Sequence, residues 1–269
     1  MGAWFSLSSS ARVARAAALG EVAAVTCAYV GSMYLTRARG PRNAHREVVR
    51  RAAACSASAV GAAVYAVLLR GADVGLSGRV AVKDHALAAA YGAAATLLLF
   101  AGPSAQWRAD GGDVAGGAGA LAGRLRSAPG VRDLLIAPLT EELAFRGAVC
   151  GLLRRGGWSA RATKWLSPLA FGAAHLHHFR DLRARGVPAA RAALAVGLQF
   201  SYTTVFGWLA AHLLGATGSL AAPVAAHVLA NHFGLPDFAG AGGRPAVMLA
   251  YVIGVGAFAA LLRRGPFVL

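Results

Sequence analysis

The sequence predicts an all-α, polytopic membrane protein with about eight transmembrane helices around a buried catalytic cavity. Three observations carry this. Apolar and aromatic residues make up 57% of the 269 residues and charged residues only 14%, against about 25% charged in a soluble domain. Several stretches reach the roughly 20 apolar residues that a spanning helix needs, and the run from Ala192 to Pro236 contains no Lys, Arg, Asp or Glu. Within such stretches lie Glu141, Glu142, Arg146, His175, His178, His227 and Asn231. Ionisable side chains are costly at bilayer depth and mark function there.

Helices are expected at residues 16–35, 52–69, 86–102, 131–153, 163–179, 192–214, 219–233 and 246–262. The first follows a short Ser/Arg/Ala segment, residues 1–15, with no cleavage-like signal, and that segment is assigned no role in the fold. Residues 108–130, rich in Gly and Ala, read as a loop with an interfacial helix over 118–127. The fourth, fifth and seventh helices carry the polar residues, and the charge-free run supplies the sixth and seventh. Many spans are rich in Ala and Gly, which lets helices pack closely in lipid. Strand patterns and fixed-period repeats are absent. The chain reads as one membrane domain, 1–269, with a catalytic core at 132–236.

The net charge of +16 raises nucleic acid as a partner, but its distribution excludes it. Basic residues cluster between the apolar runs: Arg37, Arg39, Arg42, Arg46, Arg50 and Arg51, then Arg154, Arg155, Arg161 and Lys164, then Arg180, Arg183, Arg185 and Arg191, and last Arg263 and Arg264. These are juxtamembrane anchors facing lipid headgroups, and no nucleic-acid recognition motif accompanies them. Because most loops are basic, the charge bias does not orient the chain. Cys27, Cys55 and Cys150 have no paired spacing, so neither a disulfide framework nor a cysteine zinc site is expected.

Glu142 and Arg146 are four apart, share a helix face and can pair, while Glu141 lies about 100° away and points elsewhere. The pair keeps Glu142 ionised and leaves Glu141 as a candidate general base. A salt bridge that merely orients the helix would explain Glu142 and Arg146 but not Glu141. His175 and His178, three apart, face one way; His177 turns away and reads as structural. His227 and Asn231, four apart, offer N–H donors suited to an oxyanion. His212 and His232 lack such partners and also read as structural. A carboxylate and an imidazole to activate water, with an imidazole and an amide to hold a tetrahedral oxyanion, are the equipment for peptide hydrolysis without a covalent intermediate.

Other intramembrane chemistries fit less well. No His-Glu-x-x-His is present. Every Asp falls at or beyond a span end, which disfavours an aspartyl dyad. Ser219 and His227 are about 12 Å apart along one helix, too far to hydrogen-bond. Cys150 is nearly half a turn out of phase with Glu141. Zinc held by a glutamate, His175 and His227 is compatible with the spacing; no cofactor is expected, and zinc stays open.

Three ordered motifs, Glu-Glu-x-x-x-Arg (Glu141, Glu142, Arg146), Phe-x-x-x-His (Phe171, His175) and His-x-x-x-Asn (His227, Asn231), resemble those of the type II CAAX prenyl endopeptidases, a branch of the CPBP membrane proteases. The context is similar too: Ala137-Pro138-Leu139-Thr140 before the glutamates, Gln199-x-x-Tyr202-Thr203-x-x-Phe206-Gly207, and Asn231-x-x-Gly234-x-Pro236. Ala230 and Gly147 depart from the usual pattern at non-catalytic positions. The resemblance implies an eight-helix protease of the endoplasmic reticulum that removes the last three residues after a prenylated cysteine, in proteins such as small GTPases. It implies that Glu141 and His175 activate water, that Glu142 and Arg146 support them, and that His227 and Asn231 form the oxyanion pocket. His178, on the face of His175, is a further supporting candidate. Prenylated CAAX proteins and membrane lipid are the expected partners. The alternatives are a non-catalytic transporter or scaffold using the same charges, and a CPBP-type protease acting on a non-prenylated substrate.

Overall fold

The computed structural model describes residues 8–35, 43–75 and 82–264; residues 1–7 and the loop arginines Arg37, Arg39 and Arg42 lie outside the described residues. Every described element is helical. Helix α1 (Ser9–Ser32) starts where the Ser8 hydroxyl accepts the Ala11 N–H, and α2 (His45–Val64) widens into a π turn over Tyr65–Leu69. Next come α3 (Val82–Leu99) and α4 (Ala101–Ala109), which meet at a 57° bend, and α5 (Val114–Leu125), in the segment expected to hold an interfacial helix. Residues 128–155 form one continuous helical run, α6. It alternates α segments with two π segments, Arg132–Ile136 and Glu142–Val149.

Ser159 caps α7 (Ala160–Ala174), which tightens into a 3₁₀ turn, His175–His177, before α8 (His178–Ala184). The 29-residue α9 (Ala189–Thr217) ends on Gly218 at φ 66°, a left-handed cap that glycine adopts without a Cβ clash. Helices α10 (Ala221–Phe233), α11 (Phe238–Ala241) and α12 (Pro245–Arg264) complete the described chain.

A helix lies at each of the eight expected positions, but length and composition do not support eight spans. Among the described residues, Ser9–Ser32, His45–Leu69, Ala189–Thr217 and Pro245–Arg263 are long and apolar enough to cross a membrane, and the bent α3–α4 pair would make a fifth. The difference has a physical cause. Helix α7 has 15 residues and α10 has 13, short of a bilayer's hydrocarbon core. Helix α6 carries Arg132, Asp133, Glu141, Glu142 and Arg146, too many charges for a helix facing lipid. These three helices hold the candidate site, and the long apolar ones shelter them.

The core wraps α6. Phe145, Ala148, Val149 and Leu152 are fully buried and pack with Tyr29 of α1, Cys55 and Ala59 of α2 and Phe171 of α7. Aromatic edges link the layers: Tyr29 and Phe145 at 5.6 Å, Phe145 and Phe171 at 5.2 Å. Small residues bring helices together, as expected in lipid. A Cβ on Gly172 of α7 would sit 2.2 Å from Thr204 Oγ1 of α9, and one on Gly92 of α3 would sit 2.1 Å from the Ala222 carbonyl of α10. Gly147 and Gly151 likewise admit the backbone of Asp73 and Val74 against α6, which accounts for the small residue at position 147.

The basic flanks are not all free anchors. Arg50 and Arg51 both clasp Glu47, which is only 4% exposed. The carboxylate that holds them is buried on their own helix.

Candidate active site

Proline shapes the floor of the site. In the first π segment the Ala137 N–H bonds the Arg132 carbonyl, and Pro138 has no N–H to give. The Asp133 carbonyl therefore has no helical donor four or five residues on. Asn231 fills the vacancy from α10, its Nδ2 donating to that carbonyl at 2.8 Å. The bond fixes the amide and leaves a second N–H and Oδ1 for the cavity that Asn231 lines. Such π segments recur at functional sites because they turn side chains out of regular register.

One turn on, the second π segment holds the charges. Glu142 is fully buried and Arg146 only 2% exposed, with Arg146 Nε 3.2 Å from Glu142 Oε2. The guanidinium lies 4.2 Å from the Phe171 ring centre and 5.8 Å from that of Phe206, so aromatic faces share its charge. The other oxygen of Glu142 accepts the His227 Nδ1–H at 2.7 Å. That leaves His227 Nε2 facing Glu141, 3.7 Å from its Oε2. One buried carboxylate thus holds an arginine on one side and orients an imidazole on the other. The expected Glu142–Arg146 pair is present; the Glu142–His227 bond, spanning 85 residues, is invisible to local spacing.

His175 comes from the 3₁₀ turn. Its Nδ1–H donates to the Phe171 carbonyl at 2.9 Å, which selects the tautomer and frees Nε2. Glu141, His175, His227 and Asn231 all line one cavity of about 1100 Å³, and His177 and His178 line it too. Glu142 and Arg146 stand behind its wall. Phe206 packs on His227 at 4.8 Å, and Phe171 on His175 at 4.9 Å, so both imidazoles are held by aromatic faces. Phe171 and Phe206 were legible as motif members, but not as the rings that flank Arg146. The cavity continues past Leu99, Val255, Phe258 and Leu262 as an apolar trough. Glu141 is the partly exposed carboxylate here, its side chain 19% accessible.

One sequence expectation changes. His212, read as lacking a partner, accepts from Lys164 Nζ at 2.8 Å and lines the same cavity; the partner arrives from α7, 48 residues away. Ser219 bonds His85 Nδ1 at 2.7 Å and not His227, as their separation along the chain implies. Among the described residues, His177, His178 and Asp181 each bring a possible metal-ligand atom within 4.8 Å of the other two.

A known family's pattern falls on this same region. A family model described as Type II CAAX prenyl endopeptidase Rce1-like matches residues 126–233. CAAX prenyl protease 2 of Homo sapiens is 33% identical over 89% of this chain and 78% of that protein. The chain belongs to the type II CAAX prenyl endopeptidase family. CAAX prenyl protease 2 of Arabidopsis thaliana is 42% identical over 49% of this chain, and a probable CAAX prenyl protease 2 of Schizosaccharomyces pombe is 42% identical over 40%. Those two matches span 42% and 41% of the relatives' own lengths. No solved structure matches the chain at a significant level. As a member of this family with several helices long and apolar enough to cross a membrane, it is an integral membrane protein.

Proposed function

We propose that this protein hydrolyses the peptide bond after a prenylated cysteine and releases the C-terminal aaX tripeptide, at the endoplasmic reticulum membrane. The observation that carries the reading is the convergence of Glu141, His175, His227 and Asn231 on one cavity with an apolar trough. Glu141 takes a proton from a water that His175 helps to orient, and the resulting hydroxide attacks the scissile carbonyl carbon. His227 Nε2–H and the free Asn231 N–H donate to the oxyanion. An imidazole that donates to Glu142 from Nδ1 and to the oxyanion from Nε2 carries both ring protons, and the Glu142 carboxylate lies beside that charge. As the tetrahedral intermediate collapses, the C–N bond breaks and Glu141 returns its proton to the leaving amine. The step draws on no cofactor.

The apolar trough suits a prenyl chain, whose burial is worth about 0.8 kcal/mol per CH₂. Prenylated CAAX proteins such as small GTPases are the proposed substrates. To test this, purified protein in lipid vesicles is given a farnesylated Cys-a-a-X peptide and its unprenylated twin, and the products are weighed by mass spectrometry. The reading expects a single cut after the farnesylcysteine and little turnover of the twin. Equal turnover of both peptides would leave a CPBP-type protease for other substrates. No turnover of either, with helix content intact, would favour a transporter or scaffold.

A further inference from the structure

The 3₁₀ turn that ends α7 assembles a second set of donors at the wall of the same cavity. His177 and His178 line it, and Asp181 follows on α8. One donor atom from each residue, two ring nitrogens and a carboxylate oxygen, lies within 4.8 Å of the other two. His178 Nδ1 and Asp181 Oδ2 are 3.8 Å apart. Ligands about 2 Å from a tetrahedral zinc ion sit about 3.4 Å from one another, a gap that small side-chain rotations close. Two imidazoles and a carboxylate suit zinc and its late first-row neighbours, and three protein ligands leave a fourth position for water.

The surroundings are those of a prepared site. His177 Nδ1–H donates to the Ala174 carbonyl at 2.6 Å, which fixes the tautomer and leaves Nε2 as a lone-pair donor. The Tyr34 hydroxyl donates to Asp181 Oδ1 at 3.0 Å and so orients the carboxylate. Outer contacts of these two kinds, carbonyl to imidazole and hydroxyl to carboxylate, are what orient metal ligands. Tyr34 also packs edge-on to His177 at 5.9 Å. Two cations, Arg51 and Arg180, stack on the Tyr34 ring. A metal ion here must therefore be held by direct coordination and not by a general negative field.

We propose that His177, His178 and Asp181 form a divalent metal site of zinc type, separate from the Glu141 centre. A bound ion ties the turn after α7 to α8 and, through Tyr34, to the segment after α1. It does not depend on the hydrolytic reading above.

The test uses full-length protein without a histidine tag, stripped with chelator in detergent and titrated with Zn²⁺ by calorimetry. Co²⁺ serves as a spectroscopic probe of coordination. One equivalent is expected in the wild type and in Glu141→Ala, with tetrahedral cobalt bands. His178→Ala and Asp181→Asn should bind at least about tenfold more weakly, and Tyr34→Phe roughly tenfold more weakly as an outer contact. Circular dichroism shows that each variant keeps its helices; should His178→Ala misfold, Asp181→Asn and Tyr34→Phe carry the test. The proposal is overturned if the wild type shows no saturable zinc, or if folded Asp181→Asn binds as well as wild type. Loss of the ion in Glu141→Ala would also overturn it, by moving the metal to the catalytic centre.

Discussion

His227 is held by a carboxylate that is itself held by an arginine, and this chain of contacts sets what each residue contributes. Glu142 gives one oxygen to Arg146 and the other to His227. Glu142→Gln keeps the size but removes the carboxylate that holds His227 through Nδ1. It should cost about 10²–10³ in kcat, the loss seen when an oxyanion donor is removed, with little change in KM; steady-state kinetics on a prenylated peptide checks this. Arg146→Ala acts on stability instead. It strands a buried carboxylate and empties the slot between Phe171 and Phe206, so a loss of about 3–5 kcal/mol is expected, read as a lower midpoint of thermal unfolding in detergent. At this scale the candidate side chains were legible in the sequence, because charges are conspicuous in an apolar helix. Spacing also gave the Glu142–Arg146 pair. It could not give Glu142–His227 or Lys164–His212, which depend on how separate helices meet, nor the cluster of His177 with Asp181, since a 3₁₀ turn rotates His177 differently from the α-helix assumed.

Among the elements, α6 departs most from regular helix, and Pro138 explains part of the departure. By withholding an N–H it leaves the Asp133 carbonyl to Asn231, so a backbone defect becomes a positioning device. Pro138→Ala restores a donor at position 138 and releases the Asn231 amide. Turnover should fall, by up to about 100-fold as for other small misplacements, while the unfolding midpoint holds or rises. A fall in both would point to Pro138 as a packing residue only. The α7–α9 contact is the second sensitive element. Gly172→Ala drives a methyl group into Thr204 Oγ1 and should lower thermal stability, through the helix that carries His175. Helix positions were legible from apolar runs; the π segments were not, because i→i+5 bonding leaves no periodic signature in so short a stretch.

Taken whole, the molecule gathers polar residues of α6, α7 and α10 around one cavity. Hydropathy revealed the membrane protein; among the described residues four helices, or five with the bent pair, reach spanning length and apolarity, and α7 and α10 fall short in length. The apolar trough beyond the catalytic residues sets the scale of substrate binding. Shortening the prenyl group from farnesyl to geranyl should raise KM, with kcat less affected, since the chain's burial is common to ground and transition states.

Glu141 is proposed to activate the hydrolytic water inside this cavity. The most direct measurement compares tripeptide release from a farnesylated Cys-a-a-X peptide by wild type and Glu141→Gln, at equal amounts of protein with matched helix content and unfolding midpoint. The wild type should give readily measured release and the variant none above background. Release by Glu141→Gln at near the wild-type rate would contradict this role, and would move the general base to another group.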